Sequence, residues 1–405
     1  MLTRILHHSD KLCTFLDQLD LELTQPQRRH ILNMADALLV CEDKKTLAAL
    51  QRQLVEAPDP SNMADFLRIS PWQANKVRAA LQAHQVAWLI AEGERLGAPK
   101  VIYINIDDSL GEKDKDTRHL EPVDRFFDHS EGPYKNVCYV VCTMRVGPNV
   151  ATVDLRLYLR EKTVRRLNRK RPQGQRLPFR SKYRIARQIL VELAPLLPKG
   201  WKVYVQFDCW YASRRLIPPP GVAWHLWAHG RSTPRHPRPG AQAPVVHAGQ
   251  RDHCGRGRTN LLCATAGWPF SRSAFTSRRG TPGRNPRRTF LTCSAKQALP
   301  GYAWRWSCET VNFYLKTQAG LEDFRVQSYE AVDKYLVIVH LAWAYVEQRF
   351  AQERSATVRT YGDIIRQHRD EHAIDWLEGA IQMAIETGDP ERVLRRFLRL
   401  EAPPA

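Results

Sequence analysis

Apolar and polar positions divide the chain into stretches of different period. Residues 1–98 carry the helical period: apolar positions recur three and four apart over 25–41 and 44–56, and Pro58, Asp59 and Pro60 interrupt them. A third helix is expected to start at Ser70, which can cap it, with Pro71 in its first turn and Val77, Leu81 and Trp88 on its buried side. The period then shortens. Two apolar runs, VIYINI and VYVQF, end at Asp107 and Asp208, so each aspartate is expected at the C-terminal edge of a central strand. Between them, 137–146 and 150–159 read as strands joined through Gly147, Pro148 and Asn149. In the second, Val153, Leu155, Leu157 and Leu159 alternate with Asp154, Arg156, Tyr158 and Arg160, the pattern of a half-buried antiparallel strand. A helix follows with Ile185, Ile189 and Leu193 on one side. Beyond Lys316 the helical period returns: Tyr329, Val332, Leu336, Val339, Trp343, Val346 and Phe350 form one stripe, expected to pack on the sheet. Shorter helices are expected at 360–368, 373–386 and 390–400.

One stretch fits neither period. Residues 217–290 hold ten Pro, nine Gly and twelve Arg with no Lys and a single acid, Asp252. A structureless loop of that length inside a compact core argues against a simple element there. Disorder and a basic arm are two readings. A third fits better: out-of-frame translation of GC-rich DNA yields Arg, Pro, Gly and Ala, so 217–290 reads as a frameshifted segment. His247, His253, Cys254 and Cys263 lie within it, but their spacing matches no regular zinc site.

Composition narrows the partner. The 405 residues carry a formal net charge of +19, which favours a polyanion. The charge is concentrated: 160–187 has twelve Lys and Arg against Glu161 alone, and 217–290 twelve Arg against Asp252 alone. Each stretch carries +11, so the rest of the chain is slightly acidic. Arg169, Lys170 and Arg171 are the centre of the first stretch and the candidate phosphate contacts. Nine cysteines without a repeated spacing argue against a disulfide framework and fit a reducing cytosol. The N-terminus lacks a signal peptide's apolar core, and the longest uncharged apolar stretch, 335–346, is too short to span a bilayer. The expectation is a cytoplasmic protein with no membrane partner.

The candidate chemistry lies in YAWRWSCETVNFYLK. Tyr302, Arg305, Glu309 and Lys316 are spaced to share one face of a helix. A carboxylate flanked by cations and a phenol can hold a metal ion beside a gripped phosphate, as metal-assisted phosphoryl transfer requires. An i,i+4 ion pair between Arg305 and Glu309 explains the same spacing structurally. Asp107 and Asp208 favour the chemical reading, because two strand-end aspartates and a helical glutamate make a three-carboxylate set. Asp108 competes with Asp107, but neighbouring strand residues face opposite ways, so only one of them can aim at the site.

The pattern Tyr302, Arg305, Glu309, Lys316, with Asp107 in INIDDS and Asp208 in FDCWYAS, resembles the signature of one group of DDE transposases from bacterial insertion sequences. The similarity runs from about residue 20 to the C-terminus, outside the irregular segment. The resemblance implies an α/β fold with a ribonuclease H-like mixed sheet core and helical N- and C-terminal regions. It also implies Asp107, Asp208 and Glu309 as catalytic metal ligands for two Mg²⁺ ions, replaceable by Mn²⁺. Tyr302, Arg305 and Lys316 would then contact DNA, and the expected partner is double-stranded DNA, at element ends and target, in the bacterial nucleoid. The implied division is a helical region 1–98 that could bind DNA ends or a second protomer of a homodimer, the first part of the core at 99–216 and an irregular insertion at 217–295. A catalytic helix region at 296–325 and a helical region at 326–405 complete it. In the family, a mostly β insertion between the second Asp and the Glu shapes the site, and this sequence departs from it there. Two alternatives remain open: a remnant that binds DNA without cutting it, and a basic nucleic-acid-binding protein whose acids are structural.

Overall fold

A computed structural model describes residues 4–114, 117, 119–128, 132–208, 211, 224–231, 259–265 and 304–398, with backbone alone at 60, 127, 128, 132–135, 208, 224–231 and 259–265. Five helices come first: α1 (Asp10–Gln18), α2 (Gln25–Val40), α3 (Leu47–Gln51), α4 (Pro60–Arg68) and α5 (Ala74–Arg95). Thr24 caps α2 through a reciprocal box, its hydroxyl accepting from Gln27 N while the Gln27 side chain accepts from Thr24 N. The helix expected from Ser70 starts instead at Ala74, after Gln73, and Ser70 is not its cap. Trp72 is the reason: its ring is buried and its indole donates to the Phe66 carbonyl, which holds the chain off the helical path through the Pro71 region. Val77 and Leu81 are buried as expected, and Trp88 is half-buried.

The sheet is mixed. Its strands are β1 (Val101–Glu112), β2 (Asp124–Asp128), β3 (Gly132–Val146), β4 (Asn149–Tyr158), β5 (Lys202–Asp208), β6 (Trp224–Arg231) and β7 (Thr259–Thr265). β1, β3 and β4 form an antiparallel meander, and Gly147 takes a φ of 56° in the tight turn between β3 and β4. β5 lies parallel to β1 on its other side, β6 parallel to β5, and β7 antiparallel to β6. The order β4-β3-β1-β5-β6, three antiparallel strands followed by two parallel ones, is the ribonuclease H-like arrangement. Two short helices, α6 (Glu161–Asn168) and α7 (Lys182–Leu193), connect β4 to β5.

Three sequence expectations are corrected here. β1 does not stop at Asp107 but runs on to Glu112, because β3 continues to pair with it as far as Glu112↔Asn136. β4 is buried on both faces rather than one. The register shifts opposite Cys142 and Thr143, which leaves Val153 as an unpaired bulge residue, and helices cover the polar side, where Asp154 is met by Arg156 and Gln82. The segment 217–290 contributes two paired strands, β6 and β7, where no regular element was expected. In-register pairing to the exposed edge of β5 supplies the ladder that composition alone does not announce.

The C-terminal region holds α8 (Trp306–Thr317), α9 (Tyr329–Glu353), α10 (Tyr361–Thr387) and α11 (Pro390–Leu398). α9 is buried on every side from Lys334 to Phe350, packed against β4, α2, α4, α5 and α10. Its Glu347 accepts from Thr152 N at 2.8 Å, Thr152 Oγ1 at 2.7 Å, Trp343 Nε1 at 2.8 Å and Gln85 Nε2 at 3.2 Å, tying α9 to β4 and α5. The two helices expected at 360–368 and 373–386 are one continuous helix, which ends at Gly388 with a φ of 61°. Among the described residues no helix is long and apolar enough to cross a membrane.

Candidate active site

Asp107 and Asp108 separate as strand alternation requires. Ile102, Ile104 and Ile106 turn with Asp108 towards α7, where they meet Ile185 and Ile189. Asn105 and Asp107 turn the other way, towards α8. Lys182 on α7 pairs with the Asp108 carboxylate, so Asp108 is held on the face opposite the candidate site.

α8 is docked across β1 and β3 by small polar contacts. Asn105 Nδ2 donates to Thr143 Oγ1 and to Ser307 Oγ, each at 3.2 Å, and Cys308 Sγ lies 3.3 Å from Thr143 Oγ1 and 3.7 Å from the Asn105 carbonyl. Val311 and Leu315 continue the buried side of the helix. Burial pushes the Cys308 thiol up to about 12, so this sulfur is a packing group and not a nucleophile. The docking fixes where Glu309, one residue on, emerges.

Arg305 stands at the N-cap of α8 rather than inside it. Its Nη1 lies 2.8 Å from Asp107 Oδ2 and 3.5 Å from Glu309 Oε1, so one guanidinium nitrogen bridges the strand acid and the helix acid. The i,i+4 contact read from the spacing is present, but the closer partner is Asp107. Burial raises the Asp107 carboxyl to about 7 against the pull of Arg305, and Glu309 and Asp108 add to the rise. Two carboxylates converging on a single cation, one of them poorly solvated, form a donor set that suits a hard divalent ion.

Asp208 ends β5 as expected. Its backbone pairs with His229 of β6, and on the other side the last β1–β5 pair is Ile106↔Phe207. Asp107 and Asp208 are therefore each one residue past the last pair of adjacent parallel strands. The Asp208 side chain and all of Tyr302 lie outside the described residues.

Lys316 donates to the Leu110 carbonyl at 2.6 Å and pairs with Glu322 at 3.3 Å, clamping the end of α8 to the extension of β1. Of the three basic candidates after α6, Arg169 and Lys170 are exposed and have no ion-pair partner among the described residues. Arg171 is held by Glu330, at 3.1 Å through Nη2, and by Glu121 at 3.4 Å. A shallow groove lined by Phe179, Arg180, Arg184 and Arg187 continues the positive surface along α7. Sequence reasoning missed Lys182, whose partner is 74 residues away. It also missed a buried cluster of Asp36, His368 and His372, for which the i,i+4 histidines of HRDEH were the available signal.

No curated protein matches the chain. Among solved structures, a cryo-EM structure of a piggyBac transposase synaptic complex with hairpin DNA is similar over 97% of this chain and 82% of its own, at 11% identity and a TM-score of 0.44. The model of the DDE superfamily endonucleases matches residues 14–261, a span that includes Asp107 and Asp208 and stops before Glu309. With more than half of its length matched, the chain belongs to the DDE superfamily endonuclease family.

Proposed function

We propose that the protein is a DNA transposase of a bacterial insertion sequence, cutting and joining element ends by metal-dependent phosphoryl transfer. The observation that carries the reading is the convergence of Asp107 and Glu309 on one Arg305 nitrogen beside the end of β5. Asp107, Asp208 and Glu309 would hold two Mg²⁺ ions, with Mn²⁺ as a substitute. Bound there, the ions supply an activated water or 3′-hydroxyl and stabilise the leaving oxygen.

The chain's own residues have distinct tasks in this reading. Asp107 reaches the site from a strand flanked on both sides by others, and the Asn105–Ser307 contact sets the helix that carries Glu309, so the two acids are held by rigid elements. Arg305 offsets their charge and can pass to a DNA phosphate when another cation takes over that task. Lys316 would make the same exchange, from Glu322 to phosphate. Tyr302 would position the backbone near the cut. Arg169 and Lys170, exposed and without an ion-pair partner among the described residues, are the phosphate contacts of the duplex, and Arg171 braces the segment that presents them.

A second reading keeps DNA binding without cutting, and the composition of 217–290 is what favours it. A nicking assay on supercoiled DNA separates the two. Mn²⁺-dependent nicking that disappears in Asp208→Asn supports the enzyme, whereas salt-sensitive binding with no nicking in either protein supports the remnant.

A further inference from the structure

His368 and His372 lie one turn apart on α10, and both bring Nε2 to the same oxygen of Asp36 on α2, each at 2.8 Å. His8, in the segment ahead of α1, brings Nδ1 to the other Asp36 oxygen, also at 2.8 Å. Asp36, His368 and His372 are 0%, 1% and 3% exposed, and their ligand-type atoms lie within 4.8 Å of one another. None of these residues belongs to the three-acid site.

The partners on the far side of the rings decide what the cluster needs. His8 Nε2 lies 2.8 Å from Asn33 Oδ1, an acceptor, so Nε2 carries a hydrogen. The Nδ1 contact of His8 uses the second oxygen of Asp36 and leaves the first to His368 and His372. His368 has a similar outer partner. Its Nδ1 lies 3.5 Å from the Tyr345 hydroxyl oxygen, which accepts from Arg349 Nη1 at 3.2 Å and can accept from Nδ1–H as well. That tautomer turns the Nε2 lone pair inward. Imidazoles that give their outer N–H to a second partner and aim the other nitrogen at a shared centre are arranged as metal ligands are.

We propose that Asp36, His368 and His372 form a site for one divalent transition ion of the zinc class, which clamps α2 to α10, with His8 steadying the second oxygen of Asp36. Two imidazole nitrogens and one carboxylate oxygen, with a fourth position for water, suit Zn²⁺ or Co²⁺ and not Mg²⁺, which takes oxygen ligands. Bonds of about 2.0–2.1 Å at tetrahedral angles separate ligand atoms by about 3.3 Å. Each 2.8 Å contact of His368 and His372 with Asp36 therefore opens by about half an ångström, a displacement that small ring rotations provide.

The experiment uses the full, untagged chain. After dialysis against a chelator it is titrated with Zn²⁺ and, separately, with Co²⁺, with metal content read by emission spectrometry and coordination by the visible Co²⁺ spectrum. The expected result is one zinc per chain, the intense visible bands of tetrahedral Co²⁺, and their loss when Zn²⁺ is added. His372→Gln and His8→Gln should each weaken zinc binding by at least about 10- to 100-fold, the loss that removing even an outer partner of a ligand produces. Glu309→Gln should leave it unchanged. His8 sits at the edge of the cluster, so its variant tests the site without opening the core. Zinc binding that survives both histidine substitutions overturns the proposal. So does a chain that takes up no zinc and gives no tetrahedral Co²⁺ spectrum. A thermal midpoint that follows pH and ignores Zn²⁺ would identify the bridging cation as a proton and overturn it equally.

Discussion

Replacing Arg305 with Gln should weaken the metal-free protein and make it respond more strongly to Mn²⁺. Asp107 is half-buried near Glu309 and Asp108, and Arg305 at 2.8 Å is the cation that opposes their combined effect. Two unit charges about 4 Å apart interact by roughly 4 kcal/mol at an effective dielectric of about 20. Desolvation of both groups and ordering of the side chain return part of that. The net loss on removing the guanidinium is roughly 1–3 kcal/mol. In the parent, a divalent ion must share Asp107 with Arg305 or displace it, whereas in the variant it meets an uncompensated carboxylate. Mn²⁺ should therefore recover the lost stability, and each 1.4 kcal/mol recovered is about a tenfold gain in apparent affinity. The assay is urea denaturation followed by tryptophan fluorescence, with and without Mn²⁺. It is run at about pH 8.5, because below that range a proton can neutralise Asp107 and mask the effect. A variant as stable as the parent without metal, or one with no larger Mn²⁺ response, refutes the reasoning.

Replacing Arg169 and Lys170 with Ala should flatten the slope of log affinity for duplex DNA against log salt by roughly 0.9 for every phosphate that is no longer neutralised, and an unchanged slope would return both to a merely solvated face. Arg171→Ala should leave that slope alone and lower the urea midpoint, because its guanidinium is already held by Glu330 and Glu121. Glu347→Leu should cost at least about 2 kcal/mol in the same denaturation assay. It strips the acceptor from Thr152 N, Thr152 Oγ1 and the Gln85 amide in a buried setting.

The parts of the fold that were legible are those in which one apolar run makes one element. The runs before Asp107 and Asp208 are strands, and Gly147 and Pro148 turn β3 into β4 because that connection is local. What was hidden depends on a partner distant in sequence. The extension of β1 through Asp108, Ser109 and Gly111 has no alternation of its own and exists because β3 pairs with it. The polar side of β4 looked solvated, yet Thr152 and Asp154 are fully buried because Glu347, Arg156 and Gln82 supply their partners. The strands within 217–290 follow the same rule, since an open edge on β5 can impose pairing on a chain whose composition argues against it.

The candidate site divides along the same line. Alternation required only one of Asp107 and Asp108 to turn towards the site, since that depends on the strand's own geometry, and the resemblance to the transposase signature chose Asp107. The spacing of Arg305 and Glu309 also gave their contact, one turn apart. It did not give the closer contact of Arg305 with Asp107, which depends on how α8 lies across β1, and that is set by Asn105, Thr143, Ser307 and Cys308. None of those four carries a charge, and none stood out from the sequence. If the three acids are the metal site, these small residues decide whether they meet, because a shift of α8 by one residue would carry Glu309 about 100° around the helix axis and away from Asp107. Substitutions that enlarge Ser307 should then cost activity in proportion to the displacement of α8, with the acids themselves intact.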